Sequence, residues 1–228
     1  MTTKSSEEIM DEYVTALGKE FGTALFHAKN EWCDLWLTWK QFKNLFGHGP
    51  ERVELMNRAG AGFFYRVDKH FFEAVALAVC RLSDPVKSAG KANLTVRLFE
   101  SFMDTVARKQ RMQELLDAVQ KSTEFARDWR NRRIGHNDYG LKTGEAVPLE
   151  KATLEYMDAA IAALHETLSY VCLEFMGQNL HNEVIDDLNN EMVMLHRLFL
   201  GDAEVQKELE ELKAGNYQNK ALPAWLNN

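Results

Sequence analysis

Residues 25–46 read LFHAKNEWCDLWLTWKQFKNLF, and along them Leu25, Lys29, Trp32, Trp36, Trp39, Phe42 and Phe46 recur three or four positions apart. That interval is the one-face repeat of an α-helix, whereas a strand would need alternation by two. Gly47-His48-Gly49-Pro50 ends the pattern, and Gly22 is placed to kink its start. The Trp32, Trp36, Trp39 ladder reads as core, the commoner use of aromatic residues at helical spacing, ahead of a stack for bases.

The same repeat carries through the rest of the chain. A second helix is expected from Pro50 to about Leu82, burying Val53, Met56, Gly60, Phe63, Phe64, Val67, Phe71 and Val75, until Ser83-Asp84-Pro85 stops it, because the residue before proline is pushed away from helical angles. After a small-residue loop at 86–92, Asn93 can cap a third helix with Leu94, Leu98, Phe102 and Val106. Met112, Leu115, Val119, Phe125 and Trp129 mark a fourth, with Gly135 and Asn137 beyond its end. Residues 139–147 read as a loop ahead of Pro148, which is expected in the first turn of a fifth helix striped by Leu154, Met157, Ile161, Leu164, Leu168, Cys172 and Phe175. Val184, Leu188, Met192, Leu195 and Phe199 suggest a sixth, followed after Gly201-Asp202 by a short charged helix at 204–213. A polar tail ends in Pro223-Ala224-Trp225-Leu226, which can anchor on the body or on a partner. The expected fold is all-α: a bundle of long antiparallel helices over residues 1–200, with a short C-terminal helix and tail over 201–228.

Composition bounds what such a fold can do. The 228 residues carry a formal charge of -7, too acidic for a general coat on nucleic acid, so any nucleic-acid role must be local. Cys33, Cys80 and Cys172 are far apart and odd in number, as buried thiols of a reducing compartment are. The polar start at residues 1–8 lacks the apolar core of a signal peptide, and no run of about 18 apolar residues could span a membrane, so a cytoplasmic protein without membrane contact is expected. No histidine has a glutamate three residues before it, His165-Glu166 lacks a second histidine at zincin spacing, and no glycine-rich phosphate loop precedes a helix. Neither metal nor cofactor is expected.

The fourth helix runs into residues 127–138, RDWRNRRIGHND, whose four arginines and one histidine oppose the charge of the whole. Such a cluster can complement the helix dipole and pair with neighbours such as Glu124 and Asp128. It can equally receive phosphate, because guanidinium matches phosphate oxygens and an unperturbed histidine exchanges protons near neutrality.

The order of residue types brings in a family. Arg130, followed by polar Asn131 and separated by five residues from His136, resembles the Arg-x(4–6)-His motif of the HEPN superfamily of helical ribonuclease domains. With Leu82-Ser83-Asp84-Pro85, Gly90-Lys91 and Asn93-Leu94-Thr95 upstream, the chain resembles the abortive-infection AbiU branch from about Glu7 to Phe199. The resemblance implies a metal-independent endoribonuclease, a toxin or antiphage effector working as a homodimer, with RNA as substrate and an antitoxin or defence-system partner. His136 would serve as general base or acid on the ribose 2'-hydroxyl and leaving oxygen, Arg130 would hold the scissile phosphate, and Asn131 would orient either. Arg127, Arg132 and Arg133 would bind flanking RNA. Some HEPN toxins carry, two residues after the histidine, a tyrosine modified by a partner nucleotidyltransferase; Asp138 stands there, with Tyr139 next.

Six residues of straight helix leave Arg130 and His136 roughly 120° apart in azimuth. Either Gly135 ends the helix and lets His136 swing back, or Arg132, four residues away, is its neighbour. The competing functional class is a non-catalytic helical interaction or nucleotide-binding module in a defence or regulatory system. Salt-bridged burial of both motif residues would favour it; convergence on an open groove at a two-fold would favour the nuclease.

Overall fold

The computed structural model describes residues 4–181 and 190–216, and in them the chain is an all-α helical bundle but for one small hairpin. Its elements are α1 (Ser6–Leu17), α2 (Lys19–Phe46), α3 (Pro50–Ser83), β1 (Lys87–Ser88), β2 (Lys91–Ala92), a 3-10 helix (Val96–Phe102), α4 (Val106–Ser122), α5 (Glu124–Trp129), a π turn (Arg130–Ile134), α6 (Tyr139–Thr143), α7 (Leu154–Met176) and α8 (Asn190–Lys213). The chain divides into two compact units, Met1–Phe42 with Asp68–Asp186, and Lys43–Val67 with Asp187–Asn228.

In the first unit, α1 opens with a capping box, in which Ser5 and Glu8 satisfy each other's backbone amides. Gly22 does not kink α2. It lets α1 come close, since a Cβ there would lie 2.4 Å from the Tyr13 carbonyl oxygen. Trp32 and Trp39 are buried, as their spacing predicts, and Trp39 Nε1 donates to Asp158 Oδ1 at 2.7 Å, tying α2 to α7. Trp36 is half-buried under Lys40. With Trp32 the core of this unit holds the buried Leu25, Leu35, Val79, Phe99, Met112 and Leu164, while α4 packs along α7. His165 is half-buried on Trp32, with Nε2 2.9 Å from the Leu180 carbonyl oxygen, and burial pushes its pKa down.

The second unit is smaller. Arg58 donates to Asp202 at 3.0 Å and Asn44 to Glu191 Oε1 at 2.6 Å, over buried Leu55, Met56 and Leu195.

Several boundaries differ from the expectation, each for a local reason. Residues 86–92 form a hairpin instead of an open loop, because Ala89 (φ 49°) and Gly90 (φ 78°) supply the two positive-φ residues of a tight turn. Asn93 braces that hairpin, donating to the Pro85 carbonyl at 2.7 Å, and the cap passes to Thr95. The helix it begins is a 3-10 helix that ends before Thr105 caps α4, so Val106 starts a new helix and is exposed. Within α3, Gly60 (φ 173°, ψ 71°) interrupts the helical phase, so Phe64 is buried but Phe63 is 65% exposed. Pro148 does not start α7. Thr153 does, its side chain accepting from the Tyr156 amide. Part of the expected loop at 139–147 is α6, capped by Asp138. Finally, α8 runs through Gly201 and Asp202 without a break. Val184, Leu188, Trp225 and Leu226 lie outside the described residues.

Candidate active site

The motif sits where a well-anchored helix changes pitch. Phe125 and Ala126 bury one side of α5, fixing its rotation against the core. The chain then widens into the π turn, closed by the Gly135 amide donating to the Arg130 carbonyl at 2.7 Å. Such turns insert one residue into the helical count and recur at functional sites. The insertion changes which side chains share a face, and Gly135 then ends the helix, as its position predicts.

The first motif block meets the second here. Ser83 is fully buried at the end of α3, and its carbonyl oxygen accepts from Arg97 Nε at 3.0 Å and from Arg127 Nη2 at 3.3 Å. Arg127 also reaches the Ser83 hydroxyl and the Gln120 carbonyl, each at 3.2 Å. Burial pulls its pKa down, the direction a half-buried cation takes when solvent is withdrawn. One residue on, both oxygens of Asp84 accept from Arg130 Nη1, at 2.6 and 2.7 Å, and Arg130 Nε donates to Asn131 Oδ1 at 3.1 Å. Beneath this pair lies buried Cys80, whose thiol burial pushes up to about 11, although Arg130 and Arg127 pull the other way.

Arg132 faces different partners. It donates to Asp128 at 3.2 Å, to Asp138 at 3.4 Å and to the Val147 carbonyl. Asp128 also accepts the Glu150 amide at 3.0 Å, and Trp129 Nε1 donates to the Glu150 carbonyl at 2.8 Å. Residues 138–150 are thereby stapled to α5. The Asp138 carboxyl is held below the usual range, first by the Leu141 amide it caps and then by Arg132.

Asn131, Arg133 and His136 are exposed. The Arg133 guanidinium lies 5.1 Å from the centre of the Trp129 ring. Among the described residues the His136 ring makes no side-chain hydrogen bond, to Arg130, to Arg132 or to any other group. Thus the structure joins Arg130 to Asn131, puts Arg127 and Arg132 against protein groups, and leaves Arg133 and His136 facing solvent.

Two clefts flank the motif. One of about 320 Å³ is lined by Glu31, Arg81, Leu82, Asp84, Asn93 and Leu94, and another of about 420 Å³ lies along the α6 loop. Among the described residues no three His, Cys, Asp or Glu side chains are grouped to hold a metal ion, and no helix is long and apolar enough to cross a membrane. Asp84 is the member of the site that charge reading missed. Its signal was an acidic residue directly before Pro85, read as part of a helix stop and of the upstream family block but not as the partner of an arginine.

The helical bundle and its Arg-x(5)-His motif accord with a HEPN-type domain, the class the family comparison gives. The HEPN family model described as AbiU2 matches residues 7–194, and the chain belongs to that abortive-infection family. No curated protein and no solved structure matches it.

Proposed function

We propose that this protein is a metal-independent endoribonuclease of the HEPN type, acting as a homodimer, with the product of a defence or antitoxin locus as its partner. The observation that carries the reading is the contrast at the motif: an exposed His136 without a side-chain partner, close in sequence to an Arg130 whose guanidinium is fixed in place. His136 takes the proton of the ribose 2'-hydroxyl or returns one to the leaving 5'-oxygen, and Arg130 stabilises the charge that builds on the phosphate. Asp84 and Asn131 occupy Arg130 Nη1 and Nε, and Nη2 makes no side-chain hydrogen bond among the described residues. Nη2 is therefore the donor turned to phosphate. Arg133 contacts a flanking phosphate, while Arg127 and Arg132 hold the surface on which these groups stand. A dimer would place two such sets together, which a single arginine and histidine need.

The competing reading, a non-catalytic interaction module, draws on the Arg130–Asp84 pair, since a salt-bridged arginine also serves as a brace. Incubation of wild type and His136→Ala with mixed RNA in EDTA separates them. Cleavage by the wild type alone, leaving 2',3'-cyclic phosphate ends, is the expected result. Equal cleavage by both points to a contaminant, and none by either supports the module.

A further inference from the structure

The cleft along the α6 loop runs from Arg132 and Arg133 past Asn137, the residue after His136, to Leu149, and of its lining the mechanism above uses only the two arginines. Its volume, about 420 Å³, falls in the range of small-molecule sites. Half-buried Leu141, Ala146 and Leu149 line it with apolar surface, and exposed Asn137, Arg133 and Lys142 bring polar groups to the same space. Apolar walls with a few convergent polar groups suit a flat heterocycle carrying an anion.

The cleft is also held open by the fold. Arg132 ties its wall to Asp128, Asp138 and the Val147 carbonyl, and Trp129 and Asp128 pin Glu150 behind it. Gly140 closes the loop tightly: its carbonyl accepts from the Glu145 and Ala146 amides, and a Cβ there would lie 3.0 Å from that of Ala146. A site held in this way loses little entropy when it binds.

We propose that this cleft is a nucleotide pocket, taking the base and one phosphate of the RNA residue next to the scissile bond, an assignment that rests on the ribonuclease reading for its place in the reaction. Asn137 reads the base edge, since its amide offers a donor and an acceptor in one plane, as a base edge does. Lys142 and Arg133 take the phosphate. Leu141, Ala146 and Leu149 cover the faces of the ring. The pocket makes cleavage base-selective at one position.

Binding tests this without cleavage. The full-length protein is titrated with the four nucleoside 3'-monophosphates and with inorganic phosphate, followed by calorimetry. One nucleotide should bind about tenfold tighter than the others, the selectivity one well-placed amide side chain gives, and inorganic phosphate more weakly than any. Asn137→Ala should level the four, and Lys142→Ala should weaken all of them alike. Ala146→Trp, which fills the cleft, should abolish binding; should it fail to fold, the two exposed substitutions still decide. A 2'-deoxy oligonucleotide should displace the bound nucleotide, as a strand entering the same pocket must, and failure to displace overturns its assignment to RNA. Equal binding of the four nucleotides and of phosphate, or base preference that survives Asn137→Ala, overturns the pocket. Selective binding by a wild type that cuts no RNA upholds the pocket and sinks the nuclease reading; cleavage without nucleotide binding or base preference does the reverse.

Discussion

Arg127 and Arg132 lie in the same charged stretch as Arg133 and His136, yet the fold treats the two pairs in opposite ways. Arg127 and Arg132 are partly buried, with their guanidiniums on Ser83, Gln120, Asp128, Asp138 and Val147. Arg133 and His136 are exposed, and Arg133 rests on Trp129. A run of cations in a sequence is therefore not yet a binding surface. Tertiary neighbours first take what the structure needs, and only the remainder is open to a ligand. On this division, the inner pair should govern stability and the outer pair activity.

The largest test is on the outer side. Proton transfer by a positioned side chain is worth roughly 100- to 10,000-fold, so His136→Ala should lower RNA cleavage by that factor while the thermal melting curve stays where it was. A variant that loses activity and melts early would return His136 to the structural side.

Arg127→Ala is the counterpart on the inner side. The substitution removes charged hydrogen bonds to Ser83 and Gln120 at the junction of α3 and α4, and about 1.5–3 kcal/mol should be lost in urea unfolding. Arg97 still reaches the Ser83 carbonyl, which keeps that oxygen from being stranded. An unchanged midpoint would mean that the buried charge costs as much as its bonds return.

The reading of the sequence reached different depths on the two sides. Helix existence was legible wherever apolar residues kept their interval, as from Leu25 to Phe46, because burial of one face enforces it. Caps were less so: Asn93 and Thr95 are both capable, and the choice fell to Thr95 only because Asn93 is used across the hairpin at Pro85. The motif itself was legible as residue types in order. Which cations stay free was not, because that depends on Ser83 and Asp84, which lie far away in sequence and arrive through α3. Asp128 as a partner of Arg132 was within reach, being one helical turn away.

Cys80 gives a pH test of the inner side. Burial raises its thiol from 9.0 to about 11 in the folded state, so between these values the unfolded chain gives up a proton that the native chain keeps. The native state then binds more protons, and stability falls as pH rises. Below pH 9 the contribution is fully present, and by about pH 11 it is gone, a loss of about 3 kcal/mol. The stability difference between wild type and Cys80→Ala should therefore shift against the wild type across that window. A difference that stays constant would place the thiol in contact with water.

The smallest effect, and the sharpest on the comparison, is expected at Arg133. Stacking on Trp129 at an exposed site is worth about 0.5–1 kcal/mol, so Arg133→Ala should barely move the melting curve. Its effect belongs in binding. Each phosphate contact adds roughly one to the slope of log affinity against log salt, and a 2'-deoxy oligonucleotide, which cannot be cleaved by 2'-hydroxyl attack, should show a slope about one unit shallower with the variant. Arg133→Lys should keep the slope, because the charge remains, but lose the flat contact with the indole. If Arg133→Ala instead destabilises the fold as Arg127→Ala does and leaves the salt slope unchanged, both arginines are braces, and of the outer pair only His136 is left to meet a substrate.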